Sequence, residues 1–184
     1  RAQPFTLHDP HNQADYLVIA PSPFHTTLLP LLAQRTAQGL RTQLVDLQSI
    51  YDEFGGGETD PFALRAFLAY TLATWQAPAP TYVLLVGDGT RDPRGYVDAL
   101  PANMLPAFLR TVDPRLGETA SDNQYGTLDT GDNLPQFAIG RWPVATTAEV
   151  AALVDKTLRY ERSAAPGAWR QRLAVVADNA FAAV

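Results

Sequence analysis

Four charged residues stand where short apolar runs give out. Asp88 follows Tyr82–Val86 and Gly87; Asp122 sits in Ser121-Asp-Asn-Gln-Tyr125-Gly126; Arg141 follows Phe137–Ile139 and Gly140; Asp178 follows Leu173–Ala177. Buried strands of a parallel sheet deliver polar side chains at their carboxyl ends, where ligand sites collect. Each position has a functional and a structural reading. Asp88, Asp122 and Arg141 either line a cleft, or form an Arg–Asp pair and backbone-bonded carboxylates that tie a long loop to the sheet edge. Asp178 with Asn179 also makes an ordinary turn. Thiol chemistry has no residue here, because the chain contains no cysteine. Its three histidines, His8, His11 and His25, all precede Tyr82. His8 and His11 read as solvated members of a polar tail, and His25 as a surface or capping residue.

The elements that must position these residues follow from hydrophobic patterning. Tyr16–Ala20, Thr42–Leu47, Tyr82–Val86 and Phe137–Ile139 are apolar runs too short for helices and predict buried strands. Between them, His25–Gln38 carries apolar residues at helical spacing (Leu28, Leu29, Leu32, Ala33), with Pro30 awkward inside it. Asp60-Pro61 is an N-cap followed by proline at the first helical position and predicts a helix to about Trp75. Thr146 and Glu149 form a capping box for a helix reaching about Arg162. Leu105–Leu109 offers a short extended piece within a loop rich in Pro, Asp, Gly and Asn, and Leu173–Ala177 predicts a further buried strand. Strand and helix in alternation predict an α/β fold: an open parallel sheet flanked by helices on both faces.

Composition bounds the rest. The 184 residues suffice for a real core, and a hydrophobic share of 46% excludes wholesale disorder. The net charge of −5, with Lys156 the sole lysine, argues against a nucleic-acid partner. No apolar run approaches the ~20 residues of a membrane helix. The start at Arg1, without initiator Met or leader, reads as a piece of something longer. Gly55-Gly56-Gly57 lacks the flanking strand and the Lys-Ser/Thr of a phosphate loop. Asp129-Thr-Gly-Asp132-Asn133 lacks the spacing and closing Glu of a calcium loop and reads as a turn.

YVLLVGD at 82–88, SDxxYG at 121–126, Gly140-Arg141 and Tyr160-Glu161, with Ile50-Tyr51 and Phe54-Gly55 upstream, occur in one order and register. In that arrangement the chain, from about Tyr16 to Asp178, resembles the amino-terminal part of the catalytic domain of the gingipain-like cysteine peptidases. The resemblance implies a caspase-like, flavodoxin-like three-layer fold, as the first subdomain of a two-subdomain catalytic unit. It divides the chain into a polar arm (1–15), the first α/β subdomain (16–168) and the start of the second (169–184), whose loops carry Cys and His. It also implies that Asp178 orients the catalytic imidazole, as a paired carboxylate fixes the tautomer and stabilises the imidazolium. A polypeptide substrate and the remainder of its own chain are the implied partners, and a secreted or cell-surface setting the implied location. No cofactor is required, and structural calcium is implied by the resemblance alone. The departure from the family pattern is plain: no Cys, and no His in a Gly-His-Gly context. A non-catalytic binding or secretion-associated relative therefore stands beside the peptidase.

Overall fold

The computed structural model describes residues 6–90, 92, 96, 103–113, 117–128, 134–163 and 165–175. In chain order the elements are β1 (Tyr16–Ala20), α1 (His25–Ala37), β2 (Thr42–Asp46), α2 (Leu47–Phe54), α3 (Pro61–Thr74), β3 (Tyr82–Val86), β4 (Leu109–Asp113), β5 (Gly117–Ala120), α4 (Asn123–Gly126), β6 (Ala138–Trp142) and α5 (Thr147–Ser163). Four strands form one sheet in the order β2-β1-β3-β6, every neighbouring pair parallel. Side chains alternate across it. Leu17, Ile19, Val45, Val83 and Leu85 pack on one face with α2 and α3, while Val18, Ala20, Leu84 and Val86 pack on the other with α1 and α5. Each fully buried aliphatic chain contributes roughly 1.5–3 kcal/mol; the central strands β1 and β3 are buried on both faces as their unbroken apolar runs predict, whereas β2 is buried only at Val45 and β6 at no residue, correcting the expectation of buried strands there.

Local rules set the helix ends. The Asp60 carboxylate accepts the Phe62 N–H at 2.9 Å ahead of Pro61. Thr146 Oγ1 accepts from the Glu149 N–H (3.2 Å) while Glu149 Oε2 accepts from the Thr146 N–H (3.0 Å), a reciprocal capping box. In α1 the buried positions are Leu28, Leu31 and Leu32; Leu29 and Ala33 face outward, correcting the stripe predicted from spacing. Pro30 lies on that exposed side, where water can hydrate the carbonyl its ring leaves unpaired. The triple glycine closes α2: Gly55 and Gly57 both donate N–H to the Tyr51 carbonyl, and Gly56 and Gly57 adopt φ of 65° and 89°. That is helix-termination geometry.

Other expectations shift. β6 runs to Trp142 because its five residues pair one for one with Tyr82–Val86, so Arg141 lies within the strand and not after it. Leu105 is buried outside any strand; the extended piece starts at Leu109 and pairs antiparallel with β5, apart from the main sheet. The run Leu173–Val175 is not a buried strand: it has no strand partner among the described residues, and Leu173 is 89% exposed. Residues 6–14 are not a free arm. Leu7 is buried, its N–H held by the Glu53 carboxylate (3.0 Å) and its carbonyl by Trp75 Nε1 (3.0 Å).

Candidate functional site

The strands' carboxyl ends bring Asp88, Asp122 and Arg141 to one edge of the sheet. Gly87 leaves β3 with φ of 146°, and a Cβ there would come within 3.0 Å of the Leu105 Cβ. The next residue, Asp88, donates its N–H to the Val144 carbonyl (2.8 Å) and accepts from the Met104 and Leu105 N–H groups through its own carbonyl. Its carboxylate accepts the Gly89 N–H at 2.9 Å, closing a local turn. Arg141 does more. Nε and Nη2 donate to the two Asp122 oxygens at 2.7 and 2.8 Å. Nη1 donates to the Gly87 and Leu105 carbonyls at 2.7 and 2.8 Å, and Nη2 to the Pro106 carbonyl at 3.1 Å. A guanidinium carries five N–H donors, and here each one has an acceptor. The Arg141 side chain is 12% exposed, so these bonds are largely shielded from water.

The rest of SDxxYG serves the same junction. The Tyr125 hydroxyl donates to the Pro106 carbonyl at 2.6 Å, and burial raises its pKa while Arg141 pulls the other way. Gly126 lies so close to Pro135 and Ile139 that a Cβ would meet both at 3.0 Å. Asp122, Tyr125, Gly126 and Arg141 therefore fasten residues 103–106 and 121–126 to β3 and β6. The other motif pair, at the far end of α5, is also structural: Glu161 forms a bidentate ion pair with Arg35, 2.7 Å on each side, and the Arg35 guanidinium lies 5.4 Å from the centre of the Tyr16 ring.

Beside this junction opens a cleft of about 290 Å³, lined among others by Pro21, Ser22, Asp46, Gln48, Tyr51 and Asn103. Burial raises the Tyr51 pKa, and its buried hydroxyl has no hydrogen-bond partner among the described residues. The sequence reading passed over Asp46, although it ends Thr42–Val45 as Asp88 ends Tyr82–Val86; the same strand-end rule would have found it.

The histidines are scattered. His8 stays half exposed, as expected of a polar tail, while one face of its ring stacks on Phe54 with centroids 4.4 Å apart; His11 is open to water, its Nδ1 2.9 Å from Asp9 Oδ1. His25 starts α1, its Nε2 3.0 Å from the Ala20 carbonyl and 3.8 Å from Asp46 Oδ1. Among the described residues no group of three or more His, Cys, Asp or Glu is arranged to hold a metal. No described helix is long and apolar enough to cross a membrane. Asp178 and the Asp129–Asn133 turn lie outside the described residues.

The model of Peptidase family C25 matches residues 9–183. The chain belongs to that family. Among solved structures, the C25 chain is similar to dimeric latent PorU from Porphyromonas gingivalis, with 29% identity and a TM-score of 0.70 over 88% of this chain and 17% of that one. A structure described as a protease aligns at 24% identity and TM-score 0.59, covering 83% of this chain and 29% of the other. The Arg-specific cysteine proteinase gingipain R aligns at 20% identity and TM-score 0.56, covering 79% and 28%. The last two likenesses speak to the fold alone. No curated protein matches the chain. The C25 chain thus spans less than a third of each solved relative.

Proposed function

We propose that this C25 chain is the first α/β unit of a longer cysteine endopeptidase, whose thiol and catalytic imidazole are supplied by residues outside it. The family match over 9–183 in a chain without cysteine carries the reading. In that protein a thiolate attacks the scissile carbonyl, the imidazole serves as acid and base, and backbone N–H groups hold the oxyanion. The contribution of the present residues is a rigid platform: Arg141 and Asp122 hold the loops at the sheet's carboxyl edge, and Asp178 orients the imidazole. Polypeptides are the substrates, and no cofactor enters the chemistry. Structural calcium is left to the family resemblance, as is placement outside the cell or at its surface.

A second reading, a non-catalytic binding or secretion-associated relative, is favoured by one observation: Asp88, Asp122 and Arg141 are all engaged in internal bonds. Turnover of fluorogenic peptides separates the two. The peptidase reading expects iodoacetamide-sensitive cleavage by the longer gene product and none by the 184-residue chain alone. A longer product with no cleavage, and no cysteine that iodoacetamide labels faster than free thiols, is the binding relative.

A further inference from the structure

Helix α3 is apolar on the side it turns to solvent as well as on the side it packs. Ala63, Leu64, Phe67 and Leu68 are buried in the core; Phe62, Ala66 and Ala73 are exposed and Ala69 half-buried, in one stripe at helical spacing. A helix apolar all round is ordinarily covered on both sides. Phe62 is 61% exposed and stands edge-on to Phe108, ring centroids 5.1 Å apart. Phe62, Ala66, Ala69 and Leu128 line a cavity of about 380 Å³, in which the two alanines form a floor without side chain beyond Cβ. The charge there is of one sign. Arg65 is the single charged residue of α3 and of the cavity lining. Its Nη2 donates to the Thr127 carbonyl at 2.8 Å, and its Nε is buried without an acceptor among the described residues. A guanidinium carries five N–H donors. Arg141 spends all of its donors; Arg65 has one described acceptor.

We propose that this cavity docks a segment of a partner polypeptide that sets one carboxylate side chain beside one large apolar side chain. The carboxylate meets Arg65, and the apolar group fills the space over Ala66 and Ala69. A guanidinium with unspent donors at an apolar cavity is matched by a carboxylate, and a large apolar side chain seated in a pocket is the usual anchor of such contacts. The net charge of −5 opposes a polyacidic partner or an anionic membrane, which leaves a single acid among apolar residues. A chain terminus is the poorer match. Terminal carboxylates are captured by clustered backbone N–H groups, and at the start of α3 the Phe62 N–H is taken by the Asp60 carboxylate and the Ala63 N–H by the Asp60 carbonyl. The inference draws nothing from the peptidase reading.

Amide resonances of the labelled protein, followed during titration, test it. The probes are acetyl-leucyl-glutamic acid α-amide for a side-chain carboxylate, acetyl-leucyl-glutamine amide as its neutral twin, and N-acetyl-leucine for a chain terminus. Saturable shifts at Arg65, Ala66, Ala69 and Leu128 are expected with the acid, at an affinity about three- to fivefold above that of the neutral twin. Arg65→Met keeps the hydrocarbon stem and should erase the difference between the two dipeptides. Ala66→Leu, at an exposed position, should fill the floor and weaken both about threefold. Equal affinity for the two dipeptides, an acid preference that survives Arg65→Met, tighter binding of N-acetyl-leucine, or no saturable shift overturns the proposal. So does a longer gene product that binds none of the probes, since the rest of its own chain would then cover α3. Because no turnover is measured, failure here leaves the peptidase reading standing, and an inactive longer protein leaves a positive titration standing.

Discussion

Removing the Arg141 side chain would strand a half-buried carboxylate and three backbone carbonyls together, since Asp122, Gly87, Leu105 and Pro106 share one guanidinium. Breaking such a pair from one side costs on the order of 3–5 kcal/mol. Arg141→Met should lose about that much in urea unfolding, and Arg141→Lys should recover less than half, because an ammonium cannot span both sides of the junction. A loss below about 1 kcal/mol would make the network ornamental. A second residue-scale expectation concerns acid. The Arg41 guanidinium, hydrogen-bonded to Asp15, lowers that carboxyl from 3.8 to about 2. A depressed folded-state value stabilises the fold above the unfolded value and loses that contribution as pH falls through the folded one. Stability should therefore decline between pH 3.8 and about 2, and Asp15→Asn should flatten that stretch of an unfolding-versus-pH curve. Glu161, lowered by its bonds to Arg35, acts in the same direction.

At the scale of elements, the segment before β1 behaves as part of the core. Leu7 is buried among α2 and α3, Tyr70 donates to the His8 carbonyl at 2.8 Å, and Ala14 is fully enclosed. Leu7→Ala should cost about 2–4 kcal/mol in a denaturation series; a cost under 0.5 kcal/mol would return the segment to a loose arm. Sequence alone does not disclose this, because one leucine among polar residues has no periodicity to reveal its face. By contrast the four sheet strands, the Asp60-Pro61 start and the Thr146/Glu149 box were legible, since each depends on neighbours a few residues away. Asp88, Asp122 and Arg141 were legible as a cluster at the sheet edge. That Arg141 lies inside a strand and reaches three carbonyls depends on the register of β3 against β6, which no local pattern encodes. The cleft at Asp46 was missed for a similar reason: its wall is assembled from four separate segments.

For the whole molecule, the proposed role of Asp178 is tested in the longer protein. Asp178→Asn keeps the shape of the carboxylate and removes the charge that stabilises an imidazolium, so kcat/KM should fall at least about tenfold with an unchanged urea midpoint. An unchanged kcat/KM would leave Asp178 an ordinary turn residue. The layering of helices carries one more consequence. The chain passes from β1 to β2 across the face that holds α1, moving one way along the sheet; it passes from β2 to β3 across the opposite face, moving the other way. The two moves therefore share one hand, and parallel crossovers almost always take the right-handed one. But α5 leaves β6 across the face of α1, so a right-handed return through it leads back toward β2, past strands already in place. Among the described residues β6 is an edge strand, and its outer side is the wrong side for a right-handed crossover through α5; a strand docking there runs antiparallel or arrives by another route.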